Sequence, residues 1–227
     1  MNVNPGTLSA PPVDFAGRTV TVVEFDKPIF RSHSTTRHPV FFGKTRQYRF
    51  DAPDGSYGVL YAGADIFCAF VESIIKNPNS RVVTTTELKN KAIAELTGAR
   101  ALRLVDLTLS GALVRIGADS RLFSADREAA QLWSKALHDH PALADGLLYP
   151  SRLDPVRQAI ALFDDRAPKL TELSRQTWYA PGPQRRLLAQ IAEHYNIELV
   201  ENHFVAPRKP ISTAVNRPGL LFDSRDH

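Results

Sequence analysis

Residues 57–75 read YGVLYAGADIFCAFVESII, a strand-like run followed by a helical pattern. Its first part, 57–62, is short, apolar and aromatic, which predicts a strand. Asp65 can then cap a helix that runs to about Lys76. Apolar residues recur at helical spacing along it and predict a wide buried face, formed by Ile66, Phe67, Phe70, Val71, Ile74 and Ile75.

The rest of the chain mixes strands and helices without a regular alternation. Residues 30–50 predict loops and short strands, and further strands are expected at 18–25, 101–107, 158–163 and 197–200. Thr84 and Glu87 have capping-box spacing and predict a helix that ends at Gly98. Two more helices are expected, one from a Ser124 cap to about Leu137 and one over 183–194. The mixture favours an α+β fold over a doubly wound sheet.

Composition is that of an ordinary globular protein. The 227 residues are 43% hydrophobic and 23% charged, which suits one large domain or one domain with an extension. No stretch approaches the ~20 apolar residues of a membrane span, and the N-terminus does not resemble a secretory signal. Cys68 is the only cysteine, so no internal disulfide can form, which fits a cytoplasmic location.

Several function classes are disfavoured by the residues. The net charge of +4 is scattered, which favours a solvated basic surface over a nucleic-acid patch. The closest histidine pairs, His33 with His38 and His138 with His140, lack a third ligand nearby, so no metal is expected. Ser151 does not lie in a G-x-S-x-G motif, and no glycine-rich phosphate loop occurs.

One ordered set of motifs is more specific than its members. Glu72, Arg31 and Tyr61, each considered alone, are typical of a helix flank, a protein surface and a strand core. In order, the chain reads Phe-Arg at 30–31, Tyr-Arg-Phe at 48–50 and Gly-Val-Leu-Tyr-Ala at 58–62. Ala-Phe-Val-Glu-Ser follows at 69–73, and Asp-Gly-Leu-Leu-Tyr-Pro-Ser-Arg at 145–152.

This succession resembles the RES domain, over about residues 20 to 165. The resemblance implies an ADP-ribosyltransferase-like split mixed sheet with flanking helices around an NAD cleft. It divides the chain into a flexible N-terminal tail (1–17), a catalytic domain (18–166) and a C-terminal extension packed on the core (167–227). Many RES proteins carry a Gly-Arg-Trp-like segment where this chain has Tyr-Arg-Phe, a change that keeps the basic and aromatic character.

The resemblance also implies a function. It predicts an NAD-degrading enzyme that cleaves the nicotinamide–ribose bond, with NAD as substrate, and a bacterial toxin that a protein antitoxin neutralises. Nucleic acid would be met only through that antitoxin, no membrane partner is expected, and self-association is left open. The alternatives are a mono-ADP-ribosyltransferase that modifies a protein and a non-catalytic module that binds nucleotide or nucleic acid.

Chemistry assigns roles to the matching positions. A carboxylate, Glu72, stabilises the positive charge that forms on the ribose. Tyr61 offers a flat face for nicotinamide. Arg31, with Arg49 as its rival, offers a planar fork for the diphosphate. Two further residues complete the predicted site: Ser151 to bind ribose or orient the glutamate, and Tyr48 to line the cleft.

Overall fold

An eight-stranded mixed sheet forms the centre of the computed structural model, which describes residues 7–75, 79, 81–124 and 126–201. The strands are β1 (Val22–Phe25), β2 (Ile29–Ser34), β3 (Val59–Gly63), β4 (Val82–Thr84), β5 (Lys91–Gly98), β6 (Leu102–Asp106), β7 (Gly146–Pro150), β8 (Gln158–Phe163), β9 (Leu170–Thr177) and β10 (Glu198–Val200). The order in the large sheet is β1-β6-β7-β8-β3-β2-β5-β9, and β4 and β10 form a separate parallel pair. Within the large sheet β6 and β7 are parallel and the other neighbours antiparallel.

Five α-helices are found in the described part of the chain, and they flank the sheet. They are α1 (Ile66–Ile74), α2 (Thr85–Lys89), α3 (Ala112–Ile116), α4 (Arg127–Asp139) and α5 (Pro183–His194). The predicted α+β class, with a mixed sheet and flanking helices, is therefore confirmed. No helix within the described ranges is long and apolar enough to cross a membrane.

Residues 57–75 form the strand and the helix that their pattern predicts. Strand β3 runs into α1, and the Asp65 carboxylate caps the helix by accepting a hydrogen bond from the Cys68 amide at 2.9 Å. A Cβ atom on Gly63 would lie 2.6 Å from the Ala69 nitrogen, so only glycine lets the helix approach the strand this closely. The predicted end of the helix at Lys76 lies outside the described residues.

The helix predicted up to Gly98 is wrong beyond its first turns. The Thr84 hydroxyl does cap α2, but this helix ends at Lys89 and the chain continues as β5. Strand β5 lies between β2 and β9, with Ala94 in one apolar core and Ile93 in another. A strand that is buried on both faces carries apolar residues without alternation, and its spacing then imitates that of a helix.

Some of the other predicted strands and helices are confirmed, and others are wrong. Strands β1, β3, β6, β8 and β10 fall within or overlap the predicted stretches, and α5 has the predicted bounds. The predicted Ser124 cap is wrong, because α4 begins at Arg127 after Asp126, and Ser124 instead ends a short 3-10 helix. Strands β4, β7 and β9 and helix α3 were not expected from the sequence.

Residues near both ends of the described chain pack into its apolar cores. Leu8 and Phe15, from the stretch predicted as a tail, are buried in the same core as Trp133 of α4. The predicted boundary at residue 166 falls between β8 and β9, and β9 joins the large sheet as its last strand. A third core contains Phe70 of α1 and Leu188 of α5. The helix that carries Glu72 is thus held between the sheet and residues that follow the predicted boundary.

Candidate functional site

A cleft of about 790 Å³ opens over strands β2 and β3 beside helix α1. Five of the six predicted site residues line it: Arg31, Tyr48, Arg49, Tyr61 and Glu72. The sixth, Ser151, is only 1% exposed and contacts one of the five directly. The fold therefore brings together side chains that are up to 120 positions apart in the sequence.

Glu72 is held through one of its two oxygens. The Ser151 hydroxyl donates a hydrogen bond to Oε1 at 2.5 Å, and the Arg152 backbone amide donates to the same atom at 2.9 Å. Among the described residues no hydrogen bond reaches Oε2, and the side chain is exposed to the cleft. The carboxylate is thus oriented and keeps one oxygen available for a ligand.

The loop that presents Ser151 to Glu72 is braced by ion pairs. Arg157 contacts Asp154 at 3.0 Å and Asp65, the cap of α1, at 2.9 Å. Its guanidinium also lies 4.4 Å from the centre of the Phe67 ring, a cation–π contact. These contacts join loop 151–157 to the start of the helix that carries Glu72.

A second loop, 47–51, presents Tyr48 and Arg49 to the cleft. Asp51 is 1% exposed and accepts hydrogen bonds from the amides of Gln47 and Tyr48 at 3.0 and 3.1 Å. Its other oxygen accepts the Tyr61 hydroxyl at 3.0 Å. The Tyr61 pKa is raised well above its usual value by burial and by the charge of Asp51. Tyr61 therefore stays a neutral phenol that ties this loop to strand β3.

The two candidate arginines differ in their surroundings. Arg31 donates to the Phe41 carbonyl at 2.7 Å, and burial lowers its pKa to about 10, so that it remains charged at neutral pH. Burial and nearby Arg152 lower the pKa of Arg49, an effect that Tyr149 and Glu72 partly oppose. Both guanidinium groups line the cleft, so the geometry does not choose between them.

The cleft is more basic than the sequence suggested. Arg37, Lys91 and Arg152 line it besides the two predicted arginines, whereas Glu72 is the carboxylate among its lining residues. Such a surplus of positive charge favours a ligand with several negative charges. The sequence motif at 145–152 contains Tyr149 and Arg152 beside Ser151, but nothing in the pattern assigned them a role.

Contacts divide the cleft lining into two groups. Glu72 accepts the hydrogen bond from Ser151, and its charge, after burial, raises the pKa of Tyr149 well above its usual value. Arg31 instead donates to the Phe41 carbonyl, and the Arg37 guanidinium carbon lies 5.8 Å from the Phe41 ring centre. We call these two groups the Glu72 end and the Arg31 end. The Tyr48 and Tyr61 rings, which also line the cleft, lie 5.5 Å apart.

The described residues contain no candidate metal site. No group of three or more His, Cys, Asp or Glu side chains there could hold an ion. His138, from the histidine pair noted in the sequence, lies between the carboxylates of Asp139 and Asp165 at 2.8 and 3.1 Å.

Comparison with known proteins agrees with the ordered motifs. The family model described as the RES domain matches residues 27–189. The chain belongs to the RES domain family. A curated relative named "Probable toxin y4kH", from Sinorhizobium fredii, is 32% identical over 133 residues, which are 57% of this chain and 98% of the relative.

The fold of this RES protein also has a counterpart among solved structures. A chain in the crystal structure of the M. tuberculosis MbcT–MbcA toxin–antitoxin complex superposes with a TM-score of 0.57 at 16% identity. The superposition covers 74% of this chain and 92% of that one. The family match ends at residue 189 within α5, beyond the boundary predicted at 166.

Proposed function

We propose that this RES protein cleaves the bond between nicotinamide and ribose in NAD. The observation that carries the proposal is the Glu72 carboxylate, which Ser151 and Arg152 hold by Oε1 at the edge of a basic, tyrosine-lined cleft. The diphosphate of NAD is complementary to the guanidinium groups of the cleft, and its cationic nicotinamide ring is complementary to the carboxylate and the aromatic side chains. The roles of all six predicted residues belong to this proposal.

The proposed reaction passes through positive charge on the ribose. The C1′–N bond breaks, its electron pair stays with nicotinamide, and neutral nicotinamide leaves. Glu72 stabilises the oxocarbenium-like ribose, and an ion pair ~4 Å apart at an effective dielectric near 20 contributes about 4 kcal/mol. Water then attacks C1′ and gives its proton to Glu72, which releases it to solvent. The products are nicotinamide, ADP-ribose and one proton.

The other side chains would bind and orient the substrate. Arg31 and Arg49 would contact the diphosphate through their planar forks. Tyr61 would present its ring to nicotinamide, with Tyr48 beside it 5.5 Å away. Ser151 would act on Glu72 through the 2.5 Å hydrogen bond, as a positioning residue and not as a nucleophile.

Nicotinamide release by purified protein tests the proposal. Wild type should release nicotinamide from NAD, and Glu72→Gln should lose most of that activity because the amide cannot stabilise a cation. Glu193→Gln is the matched control, since Glu193 is also an exposed helix glutamate but lies outside the cleft lining. No release by a folded wild-type protein, or equal loss in both variants, would refute the proposal.

A cellular role as a toxin with a protein antitoxin follows from the same activity. NAD loss would kill the producing cell, and the names of the relatives, a probable toxin and a toxin–antitoxin complex, support this reading. Induced expression of the protein in the cytoplasm of a test bacterium should stop growth, and the Glu72→Gln variant should allow growth to continue. Rescue by one neighbouring small protein would support a dedicated antitoxin, and an absence of toxicity would count against it.

ADP-ribosyl transfer to a protein is the second candidate, because the same residues serve and only the acceptor differs. Labelled NAD in cell extract separates the two: a labelled protein band favours transfer, and free ADP-ribose favours hydrolysis. A non-catalytic module that binds nucleotide or nucleic acid is the third. It would be favoured if Glu72→Gln left growth and NAD levels as in wild type.

A further inference from the structure

Two exposed aromatic rings stand out in the described part of the chain. Of its Phe, Tyr and Trp side chains only Phe41, at 46%, and Tyr48, at 58%, are exposed, and both line the cleft. An exposed ring loses the stabilisation of burial unless a ligand covers it. Tyr48 already packs near Tyr61, whereas the reaction described above gives Phe41 no role.

The backbone around Phe41 is fixed before any ligand binds. Arg31 donates to the Phe41 carbonyl at 2.7 Å, and two residues later Gly43 pairs with Val59 through hydrogen bonds of 3.0 and 2.9 Å. The Arg37 guanidinium carbon lies 5.8 Å from the Phe41 ring centre, within cation–π range. The ring and the guanidinium therefore form one flat, cationic surface patch at the mouth of the cleft.

This patch lies at the Arg31 end of the cleft. Arg31 donates to the Phe41 carbonyl, and the Arg37 guanidinium lies near the Phe41 ring. Glu72, which must meet the nicotinamide ribose, lies at the other end with Ser151. A dinucleotide that places its reacting ribose at Glu72 and its diphosphate on the guanidinium groups extends its second base toward Phe41.

We propose that Phe41 and Arg37 form a purine-binding subsite in which the adenine of the substrate stacks on the Phe41 ring. This inference rests on the proposed function for the orientation of NAD, but its ligand chemistry can be tested separately. A neutral, flat purine matches an exposed phenyl face, and an adjacent guanidinium adds a cation–π contact to the base.

Titrations with the two halves of the dinucleotide test the subsite. Adenosine monophosphate and nicotinamide mononucleotide are titrated into full-length Glu72→Gln protein, which should not consume the second ligand. Stacking of a base on an aromatic side chain predicts that Phe41→Ala weakens the binding of adenosine monophosphate by about 5- to 150-fold. Binding of nicotinamide mononucleotide should not change, and Phe41→Trp should retain binding of adenosine monophosphate because it keeps an aromatic face.

Leu173→Ala is the matched control, because Leu173 is an exposed apolar side chain on β9 outside the cleft lining. Unchanged adenosine monophosphate binding in Phe41→Ala, or equal weakening of both halves, overturns the subsite. If wild type releases nicotinamide but Phe41→Ala binds adenosine monophosphate normally, the subsite falls and the proposed function stands. If wild type releases none and Phe41→Ala still loses only adenosine monophosphate, the function falls and the subsite stands.

Discussion

Removal of the Ser151 hydroxyl should slow the reaction without unfolding the protein. In Ser151→Ala, Glu72 Oε1 loses the 2.5 Å hydrogen bond and keeps the 2.9 Å bond from the Arg152 amide. A hydrogen bond to a charged group contributes about 1.5–3 kcal/mol, which corresponds to roughly 10- to 150-fold in rate if the whole contribution is lost in the transition state. We expect kcat for nicotinamide release to fall within that range while KM for NAD changes little, because Ser151 is buried behind the carboxylate.

Thr108→Val provides the matched control for this variant. The Thr108 hydroxyl also donates to a buried carboxylate, that of Asp106, at 2.6 Å, and the Thr108 amide bonds the same oxygen at 2.8 Å. Thr108 lies outside the cleft lining, so its loss should lower the melting temperature but leave kcat unchanged. Equal losses of kcat in both variants would show a general effect on stability. A wild-type kcat in Ser151→Ala, beside an inactive Glu72→Gln, would refute the positioning argument.

Three further predictions follow from contacts around the cleft. Tyr61→Phe keeps the ring but leaves Asp51 without a hydroxyl donor. The free energy of unfolding in urea should therefore fall by about 1.5–3 kcal/mol, while nicotinamide release persists. Loss of release with unchanged stability would contradict this prediction. Arg157→Lys removes the guanidinium group that bridges Asp154 and Asp65. If the ion pairs contribute about 1 kcal/mol to stability, the melting temperature should fall by about 2–4 °C. An unchanged melting curve would show that the ion pairs contribute nothing to stability. Burial raises the pKa of the Cys68 thiol. A disulfide reagent at pH 8 should therefore label this thiol only after the protein unfolds. Rapid labelling of the folded protein would argue against the burial of Cys68.

The sequence predicts those elements that carry a clear local signal. Helix α1 was predictable because its apolar residues recur at helical spacing and Asp65 supplies a cap. Strand β3 was predictable because its apolar and aromatic run is short, although Val59 and Leu60 lie in different cores. Strand β5 was not predictable, because both of its faces are buried in apolar cores and its apolar residues continue the helical spacing that begins at Leu88. Strand β9 was missed for the opposite reason: it is an edge strand with mostly exposed polar residues, and its pairing with β5 is not encoded in a local pattern.

The candidate site was predictable as a set of residues but not as a set of contacts. The ordered motifs led to Arg31, Arg49 and Glu72, and all three line one cleft. The contact between Ser151 and Glu72 spans 79 positions, and no local pattern reports such a distance. Phe41 was missed because a phenylalanine in a mixed basic stretch predicts neither burial nor exposure. Only the fold, which leaves its ring 46% exposed at the cleft, separates it from core aromatic residues.

Two carboxylates lie close to the cleft, and their hydrogen bonds decide which of them can meet a cation. Both oxygens of Asp51 accept hydrogen bonds within the protein, one from the Tyr61 hydroxyl and the other from two backbone amides, and the side chain is buried. A buried carboxylate bonded in this way stabilises its loop and presents no exposed oxygen to a substrate. Glu72 bonds through Oε1 alone and is exposed. The positive charge of a reacting ribose can therefore be met by Glu72, while Asp51 holds the loop that presents Tyr48 and Arg49 to the cleft.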